Sequence, residues 1–191
     1  MGKTGAGKTT AVNRLFGLDW QTDSAVACTR ELNQALVSLP SQEPSYRIQV
    51  VDTPGIAESQ HMDEYYWEQY EQAVLGAAVL LWFFQADTRV YKPDQLMLKK
   101  LSPLLSESTC LIVCLSQVDN MGPGDWDIVQ NKPSHAQLAN LELKIDDLHE
   151  KLSKVVRLDR ASIIPCSIKC GFGLSEMLDM LVGGLNEPQS I

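Results

Sequence analysis

No stretch of this sequence is apolar for long enough to cross a bilayer. The longest apolar run, residues 73–84, is interrupted by Gly76 and falls short of the roughly 20 residues that a membrane helix needs. It reads instead as a buried strand with its approach. Histidine is scarce, and His61, His135 and His149 are scattered, none paired with cysteine or carboxylate at a zinc-like spacing. No structural metal is expected. Cys28, Cys110, Cys114, Cys166 and Cys170 are odd in number, with no Cys-x-x-Cys pair and no secretory signal ahead of them. Reduced thiols in a cytoplasmic protein are the simplest account. Positive charge is also short: 16 Lys and Arg against 24 Asp and Glu leave a net charge of −8 and a pI near 4.8. No overall field exists to hold DNA, other nucleic acid or an anionic membrane, so no DNA partner is expected and any such surface would be a local patch. Internal repeats, low-complexity tracts and linkers are absent as well.

What is there suits one packed domain over residues 1–191, with 45% hydrophobic and 21% charged residues. Residues 77–84 (AAVLLWFF) and 109–115 (TCLIVCL) are apolar on both alternations, as strands covered on both faces are. Strands are also expected at 32–39, 46–51 and 161–165. Helices are expected at 9–16, ended by Gly17, from about Met62 through Tyr70, and at 93–105 and 174–185. A further helix starts at Ser134, which forms a capping box with Gln137; Leu138, Leu141, Ile145, Leu148 and Leu152 recur at steps of three and four. The alternation predicts a three-layer α/β fold with a mainly parallel sheet.

The stretch around which the chain is organised is GKTGAGKTT, residues 2–10, which fits G-x-x-x-x-G-K-[ST] through Gly2, Gly7, Lys8 and Thr9. In such a loop the backbone amides of Gly2, Lys3, Thr4, Gly5, Ala6, Gly7, Lys8, Thr9 and Thr10 can curl round phosphates. Lys8 supplies positive charge, and the Thr9 hydroxyl can reach Mg²⁺. A P-loop normally follows a buried strand, yet only Met1 precedes Gly2. The reading is therefore of a first strand missing from this chain and a domain truncated at the P-loop.

Further motifs follow in order. Asp52, at a strand end in Asp52-Thr53-Pro54-Gly55, can hold Mg²⁺ through water, and Gly55 can approach the terminal phosphate through its N–H. Thr29 lies in a polar loop, where its hydroxyl can complete Mg²⁺ coordination when the third phosphate is present. Beyond the second buried strand, Ser116-Gln117-Val118-Asp119 carries a carboxylate that accepts from guanine's ring N–H and amine, whereas adenine offers it a repelling acceptor. Ser167 and Ile168, in Cys166-Ser167-Ile168-Lys169, can bring a backbone N–H to the guanine oxygen.

Taken together these segments resemble the Era-like branch of the translation-factor-related GTPases. CTRE, DTPGIAESQHMDEYYWEQY, VLLWFFQADTRVYKPDQ and LSQVDNMGPGDWD are similar to the prophage-type bacterial members labelled 50S ribosome-binding GTPases. The resemblance implies a G domain that binds GTP or GDP with Mg²⁺. Gly7, Lys8 and Thr9 would lie on phosphates and metal, Thr29 in the first switch, and Asp52 and Gly55 at the second. Lys8, Thr29 and Gly55 become the catalytic candidates, and Thr9, Thr29 and Asp52 the metal ligands. Association with a ribosome or protein effector is implied by the family label alone.

The chain departs from the family in places. Ser116 and Gln117 stand where Asn-Lys is common, which predicts weakened guanine affinity, and Ile168 replaces an alanine. Ile56 occupies the position where Ras-like enzymes place a water-orienting glutamine, so slow intrinsic hydrolysis is expected. Some relatives bind potassium through a P-loop asparagine; Gly5 is at that position, and potassium stimulation is not predicted. A nucleotide-binding module with negligible turnover is the principal alternative, and a P-loop ATPase a more distant one. The tyrosines and tryptophan at 65–70 read equally as partner surface or core.

Overall fold

The computed structural model describes residues 1–22, 32–39, 47–56, 60–122 and 124–186. Thr29, Cys28 and the CTRE segment lie outside the described residues. After the phosphate loop the chain runs α1 (Lys8–Phe16), β1 (Asn33–Ser38), β2 (Arg47–Asp52), α2 (Gln60–Tyr65), α3 (Trp67–Val74) and β3 (Val79–Gln85). It continues through α4 (Lys92–Leu101), β4 (Cys110–Ser116), α5 (His135–Leu152), β5 (Ile163–Pro165) and α6 (Leu174–Asn186). Strands β3, β4 and β5 pair in parallel in that order, and β1 and β2 form an antiparallel pair.

Why β3 and β4 are apolar at every position but the last is visible in how they are covered. Leu80, Trp82 and Phe84 of β3, with Leu111, Val113 and Leu115 of β4, face a core shared with α3, α4 and α5. Phe83, Ile112 and Cys114, the alternate positions, face a second core with Ala11 of α1 and Met177 and Leu181 of α6. Successive side chains of a strand point to opposite faces, so two helical layers demand two apolar faces. The three-layer α/β expectation is met. The predicted capping box at Ser134 and Gln137 is present at the start of α5. The apolar run at 73–84 divides differently from the sequence reading. Ala73 and Val74 finish α3, and the strand starts only at Val79, because Gly76 turns the chain between them with φ of 75°.

Among the described residues no strand precedes the phosphate loop. Met1–Lys3 instead form single parallel bridges on each side, Gly2 to Phe83 and Lys3 to Ile56. The Met1 amino group donates to the Leu81 carbonyl (2.8 Å), Phe83 N–H to Met1 O (2.9 Å) and Ile56 N–H to Gly2 O (3.2 Å). These three residues are thus a seam between β3 and the segment that follows β2. A Cβ on Gly2 would lie 2.4 Å from the Phe83 carbonyl oxygen, so no other residue fits there.

Candidate nucleotide site

At the phosphate end, α1 begins at Lys8 after Gly7, with no side chain capping its first turn and no acidic residue within it. The helix dipole at this end therefore favours an anion. Lys8 is 7% exposed and folds over the loop, its Nζ donating to the Lys3 carbonyl (3.0 Å). Thr9 Oγ1 donates to Asp52 Oδ2 at 2.6 Å, so α1 and the end of β2 bring a hydroxyl and a carboxylate to one point. Thr53 Oγ1, next along from Asp52, is buried without a hydrogen-bond partner. Hard oxygen donors gathered beside a phosphate loop suit Mg²⁺, so Thr9 and Asp52 fit the role expected of them.

Lys3 belongs to the loop by its backbone, but its side chain turns away. Its Nζ pairs with Asp94 Oδ2 (2.8 Å) and donates to the Val90 carbonyl. Asp94, on α4, is fully buried and also accepts from the Trp82 indole N–H (3.1 Å). Burial raises the Asp94 carboxyl above its ordinary value, against the opposing pull of Lys3 and Trp82. No sequence signal marked Asp94, since its partners come from β3 and from the phosphate loop.

The segment at Gly55 lies directly on the loop. A Cβ on Gly55 would fall 1.9 Å from Thr4 Oγ1, which leaves glycine as the residue that permits this approach. Ile56 is 2% exposed and packs into the larger core, so its side chain does not face the phosphates. Tyr66 and Tyr70 are buried, Trp67 is half-buried and Tyr65 is exposed, which places most of the aromatic group in the core rather than on a partner surface.

At the base end, two tethers run back to the phosphate loop. Ser116 Oγ is buried, donates to the Ala6 carbonyl (2.8 Å) and lies 3.0 Å from the Phe84 carbonyl. Gln117, held at φ 59°, donates from Nε2 to the Gly5 carbonyl (2.8 Å), and Gln85 donates to the same oxygen (3.1 Å). The shorter residues at 116 and 117 therefore still bind the base segment to the phosphate segment. Val118 N–H donates to Cys166 O (3.3 Å), bringing the Asp119 segment against the loop after β5. Burial first, and the Asp119 charge second, push the Cys166 thiol up to about 12, so that thiol stays protonated and unreactive. Ser167 is buried and its Oγ accepts from Cys170 N–H (3.2 Å), closing a tight turn that presents Ile168 beside Gly7. Arg14, from α1, donates to the Ile168 carbonyl (2.5 Å) and the Lys169 carbonyl (3.1 Å). Its partners are main-chain oxygens, so a reading based on motifs had nothing with which to single it out.

A family model described as 50S ribosome-binding GTPase matches residues 1–116. The chain belongs to that family. Two proteins of Escherichia coli (strain K12), Uncharacterized protein YkfA and Uncharacterized protein YfjP, are each 29% identical to it over 183 residues, 95% of this chain. The chain spans 59% of the length of each of these relatives. Among solved structures, Era in complex with MgGDPNP and nucleotides 1506–1542 of 16S ribosomal RNA superposes with a TM-score of 0.71 at 23% identity, over 100% of this chain and 56% of that one. Toc33 from Arabidopsis thaliana in complex with Mg²⁺ and GMPPNP superposes with a TM-score of 0.70 at 15% identity, over 98% of this chain and 83% of that one. These likenesses establish the P-loop GTPase fold. No helix among the described residues is long and apolar enough to cross a membrane.

Proposed function

We propose that residues 1–191 form one G domain that binds a guanine nucleotide with Mg²⁺ and slowly hydrolyses GTP to GDP and phosphate, acting as a switch. The observation that carries this reading is the bonding of Ser116 to Ala6 and of Gln117 to Gly5, which joins Asp119 and the phosphate loop into one framework. A phosphate chain on the loop and a base on Asp119 would then be held by a single rigid unit. Bound there, Mg²⁺ would supply positive charge to the phosphate oxygens, held by Thr9 and Asp52 and by Thr29 once the third phosphate is in place. The Lys8 ammonium and the amides of residues 5–9 would neutralise the charge that develops as water attacks the terminal phosphorus and the bond to the GDP oxygen breaks. Gly55 would offer its N–H to the terminal phosphate.

Slow turnover follows from Ile56, which is buried and carries no group able to orient water. The same residue supports the second reading, a module that holds nucleotide with negligible turnover. A cytoplasmic location and association with a ribosome or protein effector extend this proposal on family membership. The decisive experiment is single-turnover phosphate release from GTP, with ADP and GDP competed for binding. Release faster than the buffer blank, at a rate that falls by about 100-fold or more in Lys8→Ala, supports the GTPase, given the size of such electrostatic contributions. Release no faster than the buffer blank supports the binding module, and preference for ADP would overturn both.

A further inference from the structure

The peptide that joins Gly55 to Ile56 is gripped at both ends. Its carbonyl, that of Gly55, accepts from the Tyr70 hydroxyl (3.1 Å) in a buried setting, and its N–H, that of Ile56, donates to the Gly2 carbonyl (3.2 Å). Tyr70 is fully buried on α3, where its ring packs at a tilt against Tyr66 with centroids 6.3 Å apart. With the peptide plane fixed on one side and Thr4 filling the space beside Gly55 on the other, the Gly55 backbone has little freedom to rotate.

We propose that Tyr70 is a positioning residue for the second switch, its hydroxyl holding the Gly55–Ile56 peptide so that the preceding Gly55 N–H stays available to the terminal phosphate of GTP. This rests on the guanine-nucleotide reading above and adds to it the group that sets the geometry of Gly55. The glycine contributes no side chain through which its orientation could be fixed, so the constraint has to come through its carbonyl. Tyr70 reaches that carbonyl from a helix whose first residue, Trp67, lies under the Lys100 ammonium of α4 at 3.4 Å from the ring centre. Helix α3 thus contacts Gly55 through Tyr70 and α4 through Trp67.

A tyrosine that merely fills the core would affect stability and leave nucleotide preference alone. Tyr70→Phe keeps the ring and removes the hydroxyl. Titration of wild type and Tyr70→Phe with fluorescent GDP and a non-hydrolysable GTP analogue, in Mg²⁺, separates the two roles. The variant is expected to bind the analogue about fivefold more weakly, the ordinary worth of one hydrogen bond, and GDP within about twofold of wild type. An unchanged ratio of analogue to GDP affinity overturns the proposal while the guanine reading stands. Wild type that binds neither nucleotide sinks both. Should the variant fail to fold, amide hydrogen exchange of wild type gives the answer independently. Gly55 N–H, the group held available to the terminal phosphate, is expected to exchange more slowly with the analogue than with GDP, and equal rates overturn the proposal.

Discussion

The two ends of the candidate site solve the same problem with different materials. At the phosphate end the proposed binding groups are main-chain amides, with Lys8, Thr9 and Asp52 proposed to supply the charge and the oxygen ligands. At the base end the work falls to side chains. Ser116, Gln117 and Gln85 reach back to carbonyls of the loop, and Asp119 stands against the segment that carries Cys166. At the first end a Cβ on Gly2 or Gly55 would clash with the backbone of Phe83 or with Thr4, so the main chain itself is constrained. At the second, serine and glutamine side chains span the gap.

That contrast is most exposed at Asp119. Asp119→Ala is expected to weaken GDP by about 100-fold or more, since a site built to pair a polar edge loses most when the pairing group goes. It should leave affinity for inorganic pyrophosphate unchanged. Competition titration with both ligands checks this, and equal losses would show that the two ends are not separable. Ser116→Ala comes next. It strips a buried donor from the Ala6 carbonyl and is expected to cost about 1–3 kcal/mol of stability. GDP affinity should fall with it, read by denaturant unfolding and GDP titration on one preparation. Stability lost without any loss of affinity would reduce this tether to a packing feature.

The smallest expected effect is a pH dependence at the phosphate end. Because burial raises the Asp94 carboxyl, the folded chain takes up a proton at a pH where the unfolded chain does not. This group's contribution therefore increases as pH falls from the raised value toward 3.8, the ordinary one, and the burial penalty returns as pH rises. Asp94→Asn should remove that dependence, measured as the difference between the two proteins' unfolding midpoints across the window. Parallel midpoint curves would place the Lys3–Asp94 pair outside the titrating groups that matter.

Much of this was legible in the sequence, for identifiable reasons. The phosphate loop, Asp52 and Gly55 are read directly because their chemistry requires particular residue types at particular spacings. The buried strands β3 and β4 were equally plain, since two apolar faces leave an unbroken run. Arg14, Tyr70 and Asp94 were not legible. Each acts on a main-chain oxygen or on a residue far along the chain, and neither composition nor spacing records such a contact. The tether from Gln117 to the Gly5 carbonyl was not legible either, because it depends on the left-handed backbone at φ 59° and on the nearness of Gly5. The run at 73–84 was divided wrongly because Ala73 and Val74 suit a helix end as well as a strand approach.

The seam formed by Met1–Lys3 has a thermodynamic consequence. The phosphate loop grows directly out of the three residues that join β3 to the segment following β2. A ligand seated on that loop would touch α1, the end of β2 and the segment after β4 at once. By mass action its binding energy adds to the stability of the folded chain. Occupancy would then raise the unfolding midpoint with ligand concentration, and emptying the site would lower it.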